Sequence, residues 1–241
     1  MLDMVRNIFD PSNSFYEFGR KLIYVLALNI IFIITSIPII TMGASMAAMN
    51  TVFLKIINER EFSVLKDYFN SFKVNFLKAT ILWIIGLAAG FVLYVDIVYW
   101  LKYGIDEYGF TLGYSMMILS ILAAVFLVIM LHTAFPLVSR FDMSVKDLII
   151  NTFIITVKNI LYGAEALLFT VLIVGTSAYM VITGRLLIMI YMLFICFGLN
   201  GLVQSYIFRR VLNKYSEDYE EMVRKNIEDL KKEGYTFEDI E

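Results

Sequence analysis

The stretch that decides the fold runs from Leu22 to Lys78, LIYVLALNIIFIITSIPIITMGASMAAMNTVFLKIINEREFSVLKDYFNSFKVNFLK. It opens with an apolar run, Leu22 to Ile37, breaks at Pro38, and resumes as a small-residue segment from Gly43 to Asn58. The charged cluster Glu59-Arg60-Glu61 follows, then a piece in which Leu65, Phe69, Phe72 and Phe76 recur at spacings of four, three and four. That spacing puts the four apolar side chains in one stripe of a helix, with Lys66, Asp67, Asn70 and Lys73 off it. A soluble core has no use for this order of parts, whereas a bilayer with a charged aqueous face does.

The rest of the chain agrees. Of 241 residues, 60% are hydrophobic and 17% charged, against about 45–50% and about 25% in soluble domains. The apolar residues come in long blocks rather than in alternation, which favours helices over a membrane β-barrel. Runs at 79–101, 111–135, 159–182 and 186–208 approach the ~20 residues that cross a hydrocarbon core. The two earlier segments, 22–37 and 43–58, are shorter, about 24 Å each at helical rise. The expected fold is all-α: a polytopic transmembrane helical bundle of five or six membrane helices. Amphipathic helices at 62–78 and 144–158 are expected on the cytoplasmic face, with a short C-terminal soluble helix beyond the bundle. Residues 1–21 read as an N-terminal interfacial segment, 22–208 as the transmembrane domain, and 209–241 as an acidic tail helix. The N-terminal apolar run is read as retained rather than cleaved as a signal peptide.

Charge sets the orientation. Six crossings with both termini inside place fourteen Lys/Arg near inner span ends and two, Lys102 and Arg185, near outer ones. Five crossings need Gly43–Asn58 to lie on the inner surface, which strands Arg20 and Lys21 outside. Because the first two helices are short, they can also pair as a re-entrant hairpin. Thr41 is placed to cap the second helix and Ser63 to cap the third, while Ser144-Val145-Lys146-Asp147 has the form of a capping box. Segments 66–78 and 146–158 both begin Lys-Asp and end in Lys, an offset of 80 that suggests a weak internal repeat.

Candidate chemistry is sparse. One His and one Cys exclude a metal cluster, and no nucleophile-elbow or phosphate-loop motif is present, so no catalytic, metal or cofactor site is expected and the chain does not read as an enzyme. No strongly basic domain points to nucleic acid; residues 209–241 carry seven Lys/Arg against ten Asp/Glu. Ionisable residues inside membrane spans are rare and tend to be functional. Glu165 and His132, at similar depth near the inner face, are therefore a candidate intramembrane polar pair, with snorkelling of Glu165 as the alternative. Asp96, a turn from the outer end of its span, reads as hydrated. Asn29, Asn50, Asn200 and Gln204 read as interhelical hydrogen-bonding groups, and Cys196 as packing. Leu65, Phe69, Phe72 and Phe76 are the candidate partner-docking surface.

The run from Leu28-Asn29 through Ser36-Ile37-Pro38-Ile39-Ile40-Thr41-Met42-Gly43 resembles the YesL-like family, also called domain of unknown function 624. Ala48-Met49, Leu54-Lys55, Glu59-Arg60-Glu61, Phe69, Phe72-Lys73 and Asn75-Phe76 extend the likeness, as do Phe135-Pro136-Leu137, Arg140-Phe141 and Asn151 in the second half. Glu61 departs from it, standing where the family commonly has Gly. The resemblance covers roughly residues 15–210. It implies a multi-pass protein of the bacterial plasma membrane, encoded near carbohydrate-uptake permeases and glycan-degrading enzymes; the expected cytoplasmic C-terminus comes from the Lys/Arg distribution. It brings no catalytic residues. The lipid bilayer and carbohydrate ABC-type permease components are the expected partners, and an accessory, subunit or regulator of carbohydrate uptake the expected role. A membrane scaffold that binds a cytoplasmic protein through its amphipathic helices or tail is the alternative, and a stand-alone transporter the third.

Overall fold

A computed structural model describes residues 14–183 and 191–232. Every regular element among them is helical: α1 (Ser14–Thr35), a 3-10 turn (Ile39–Thr41), α2 (Met42–Ile57), α3 (Val64–Tyr99), a π-helical turn (Trp100–Gly104), α4 (Ile105–Tyr108), α5 (Phe110–Arg140), α6 (Val145–Lys158), α7 (Ile160–Thr170), a second π turn (Val171–Gly175), α8 (Thr176–Ile182), a third π turn (Met192–Cys196) and α9 (Phe197–Lys232). The first part of the expected interfacial segment, the turn at 184–185, the beginning of the last expected span and the final nine residues lie outside the described residues.

Three stretches among the described residues are long and apolar enough to cross a membrane: Ile39–Ile57, Val64–Gly104 and Phe110–Arg140. A fourth arises if Val145–Lys158 and Ile160–Gly175, bent by 92° at their junction, form one span. The chain is thus an all-helical protein with several helices fit for a bilayer. α1 adds 22 residues, but Glu17, Arg20 and Lys21 leave only its later part apolar.

Burial separates these helices. In the most apolar windows of the second and third stretches only 11% is buried, against 56% in the window that contains α2. α3 and α5 therefore turn most of their apolar side chains outward, as helices bathed in lipid do. α2 is the hub. Its Ala44, Ala47 and Leu54 join one core cluster with Ala79, Leu82, Leu137, Val138, Leu148 and Phe208. Its Ala48, Met49, Val52, Phe53 and Ile56 join another with Val25, Leu28, Phe32 and Tyr68. Small residues make this possible: a Cβ on Gly43 would lie 2.5 Å from the Ala79 carbonyl oxygen, so α2 and α3 touch backbone to backbone.

The ends of the helices follow from local chemistry. α1 stops before Pro38, and Thr41 bonds backward instead of capping α2. Its hydroxyl donates to the carbonyl of Thr35 (2.6 Å), which the end of α1 leaves orphaned, and to that of Pro38 (2.8 Å) in the turn. α2 closes in a Schellman turn: Arg60 N–H reaches Lys55 O (3.0 Å) and Glu59 N–H reaches Ile56 O (3.3 Å). Glu59 holds the left-handed position of that turn at φ 53°, where glycine is usual. Ser63 stands at the N-cap of α3 but makes no side-chain cap; the Asp67 carboxylate accepts the Ser63 N–H at 2.8 Å instead. At α6 the Ser144 oxygen does accept from Asp147 N–H, at 3.2 Å, as the capping-box spacing predicts.

Two expected boundaries are absent. The segment at 62–78 is not a separate interfacial helix, because α3 runs unbroken from Val64 to Tyr99, with no Gly or Pro between Asn75 and Ile81 to turn it. Nor is the tail separate: α9 passes through Arg209 and Arg210 to Lys232 as one helix. The second amphipathic segment does behave as an elbow. Asn159 leaves helical geometry (φ −126°, ψ 36°) and its amide donates to Ile155 O at 3.0 Å, which ends α6 and sets the 92° bend. The offset of 80 nonetheless aligns Tyr68 with Leu148, and both are fully buried.

Candidate functional site

The stripe Leu65, Phe69, Phe72 and Phe76 stays largely outside the bundle. Leu65 is 59%, Phe69 43% and Phe76 38% exposed, while Phe72 is half-buried and stacks on Tyr68. The inward side of this part of α3 is taken by Tyr68 (0% exposed) and Ser71. The Tyr68 hydroxyl lies 2.7 Å from Thr35 Oγ1, which also accepts from Ser45 Oγ at 3.0 Å. These three hydroxyls tie the ends of α1, α2 and α3 together.

The structure does not join Glu165 to His132. His132 Nε2 lies 2.9 Å from Thr170 Oγ1 and Nδ1 lies 2.8 Å from the Val128 carbonyl. Gly163, Ala166 and Thr170 form the inward side of α7, and Glu165, one residue before Ala166, is exposed on another. It sits less than two turns past the bend at Asn159. Thr170 is the centre of the cluster His132 belongs to: Asn200 Oδ1 is 3.0 Å and Gln204 Nε2 3.3 Å from its hydroxyl. Because Val128 O only accepts, His132 Nδ1 carries a proton; neutral His132 Nε2 then competes with Ala166 O and Asn200 Oδ1 for the one Thr170 hydroxyl proton, whereas charged His132 donates to Thr170 and leaves that proton to them.

Asn29 and Asn50 also bond across helices. Asn29 Oδ1 accepts from the Gly198 N–H at 2.7 Å, just past a π turn that frees backbone groups. Asn50 Oδ1 accepts from Ser205 Oγ at 2.7 Å. All four amides named in the sequence analysis thus serve interhelical bonds. Asp96 is bonded rather than simply hydrated: it accepts from Trp100 Nε1 at 3.1 Å and from the buried Ser120 hydroxyl of α5. Cys196 is fully buried, with its thiol 3.8 Å from Ile173 O.

A polar recess that the sequence did not single out opens where α2 and α5 end and α3 begins. One part, about 190 Å³, is lined by Thr51 and Lys55 of α2, by Asp67, Asn70, Ser71, Val74 and Asn75 of α3, and by Ser139 of α5. An adjoining part, about 160 Å³, shares Thr51, Lys55 and Ser139 and adds Leu54, Arg60 and Arg140. Lys55 Nζ meets Asp67 Oδ1 at 2.9 Å, and the Thr51 and Ser71 hydroxyls meet at 2.7 Å. Lys78 pairs with Asp142 close by.

No curated protein and no solved structure matches the chain. Residues 22–97, from α1 through most of α3 and including most of the recess, match the model of a family described as protein of unknown function, DUF624, and over that stretch the chain carries the family likeness read from its sequence.

Proposed function

We propose that this chain is a multi-pass plasma-membrane protein that serves carbohydrate uptake as an accessory subunit or regulator. It docks a permease component through Leu65, Phe69 and Phe76. The observation that carries this reading is the orientation of that stripe. Tyr68 occupies the inward side of α3, which leaves three large apolar side chains exposed on the part of α3 that precedes its continuous apolar stretch. The link to carbohydrate uptake rests on the family likeness. A photocrosslinking residue at Phe69, in intact cells, is expected to capture a subunit of a sugar permease. Capture of lipid alone, with the same pattern as a control at Phe91, sinks the docking role.

In this reading six helices are membrane-embedded, and α1 with α2 forms a re-entrant hairpin rather than two full crossings. Trp83 Nε1 donates to Ile39 O at 2.8 Å, which supports a turn lying early along the apolar part of α3 rather than at its far end near Trp100. Both termini then stay inside, and the Lys/Arg distribution is unchanged. With Cys196 replaced by Ala, Ile40→Cys is expected to resist an impermeant thiol reagent added from outside intact cells. Rapid labelling from outside replaces the hairpin with two crossings.

A further inference from the structure

We propose that the recess between the ends of α2, α3 and α5 binds a phosphate-class oxyanion. The part lined by Arg60, Arg140 and Lys55 is an open recess of about 160 Å³, while a single water needs only ~10–15 Å³ of such space. Its lining is cationic. Lys55, Arg60 and Arg140 face one acid, Asp67. That acid is already engaged, by Lys55 at 2.9 Å and by the Ser63 N–H at 2.8 Å.

The bland account is that these cations only neutralise helix dipoles. Lys55 and Arg140 do lie in the last turns of α2 and α5. Each helix end carries roughly half a charge, negative for the two C-termini and positive for the N-terminus of α3. Adding these to Lys55, Arg60 and Asp67, and leaving out Arg140 because it has an interaction of its own, leaves the recess at about +0.5. The dipoles therefore do not consume the excess.

Arg60 is the surplus group. It lies beyond the last turn of α2, and among the described residues its guanidinium has no hydrogen bond or ion pair. The Schellman turn fixes its backbone, with Arg60 N–H on Lys55 O at 3.0 Å, and Glu59 takes the left-handed conformation that makes this possible. Glu59 and Glu61 are exposed and do not line the recess. Cations thus converge from α2, from the α2–α3 loop and from α5, and the Asn70 amide adds a neutral donor. Approach from three elements suits a tetrahedral oxyanion with several acceptor oxygens, and Arg favours such groups through paired N–H donors.

The phosphate can belong to a soluble monoester or to the headgroup of an anionic lipid, and the test separates them. The purified full-length protein is placed in phosphatidylcholine nanodiscs, and its thermal unfolding is followed with inorganic phosphate against chloride at matched ionic strength. A second set of discs contains phosphatidylglycerol. We expect wild type to be stabilised in at least one arm, with Arg60→Gln weakening the apparent affinity at least tenfold and Arg60→Lys falling between them. Stabilisation by inorganic phosphate assigns the site to a soluble ester. Stabilisation by phosphatidylglycerol alone assigns it to a headgroup. The proposal is overturned if neither probe stabilises wild type, or if Arg60→Gln, which alters an exposed loop residue and leaves the fold intact, responds as wild type does.

Discussion

Replacing Gly198 by Ala tests the closest approach of α9 to α1. A Cβ at this position would lie 2.5 Å from the Val25 carbonyl oxygen, and 3.1 Å from both Asn29 Cβ and Val25 Cγ1. The nearest obstacle is backbone, so the helices must part. Overpacking of this kind costs ~1–3 kcal/mol. Parting also stretches the 2.7 Å bond from Gly198 N–H to Asn29 Oδ1, worth ~0.6–1.7 kcal/mol between membrane helices. Against this, Ala gains ~0.8–1.0 kcal/mol over Gly in helix propensity. The net is a loss of about 1–4 kcal/mol, or roughly 2–16 °C in unfolding midpoint for a chain of this size. Gly201→Ala is the internal control. There the new Cβ meets Met49 Cε at 2.5 Å, the free end of a flexible side chain, and Phe53 Cε2 at 3.2 Å, with no backbone atom among its nearest neighbours, so it is expected to cost less than Gly198→Ala. Cys196, the single cysteine of the chain and fully buried, supplies the assay. A dye that fluoresces on reacting with thiols reports unfolding directly as the detergent-solubilised protein is heated. If Gly198→Ala melts with Gly201→Ala, the close packing of α1 on α9 is not what holds them.

Tyr68→Phe removes the hydroxyl that meets Thr35 at 2.7 Å while keeping the ring, and is expected to cost about 1 kcal/mol; Tyr68→Ala, which also empties the space, about 3–5 kcal/mol. The same melting assay ranks the two, and equal losses would show that the hydroxyl network rather than packing dominates. Thr170→Val deletes the shared partner of His132, Asn200 and Gln204 and should destabilise by about 1–2 kcal/mol. His132→Gln in the Thr170→Val background should then add little, which a double-mutant cycle measures. Glu59→Gly relieves a side chain at φ 53°; ~1–2 kcal/mol of strain less ~0.4–1 kcal/mol of added chain entropy predicts a midpoint raised by a few degrees, and a lowered one would remove the strain argument.

The helices of this protein were legible where apolar runs are long, and the interhelical amides were legible because lipid offers an amide no partner. The inward side of α3 was not. Periodicity selects Leu65, Phe69, Phe72 and Phe76 as the apolar stripe, and in water that stripe would be buried. In this chain Leu65, Phe69 and Phe76 are left open instead, and small or hydroxyl-bearing residues such as Ser71 and Ala79 take the contacts between helices. The partner of His132 was missed for a related reason: depth along a span is readable, but the rotation of α7 that turns Thr170 inward and Glu165 outward is set by Gly163 and Ala166 packing. The recess escaped notice because Thr51, Ser71 and Ser139 are unremarkable one by one and meet only through tertiary contact.

The absence of an elbow in α3 has a mechanical consequence. At helical rise its 36 residues span about 54 Å, against a hydrocarbon thickness of ~30 Å. One rod therefore links the Leu65–Phe69 end to an aromatic cluster at its other end, where Trp100 meets Tyr99 edge-on and Tyr108 at a tilt. A tilt of about 10° imposed at one end moves the other by roughly 9 Å. A hinge at 78–79 would have absorbed that displacement; without one, a force applied at the exposed phenylalanines is carried along the full length of α3.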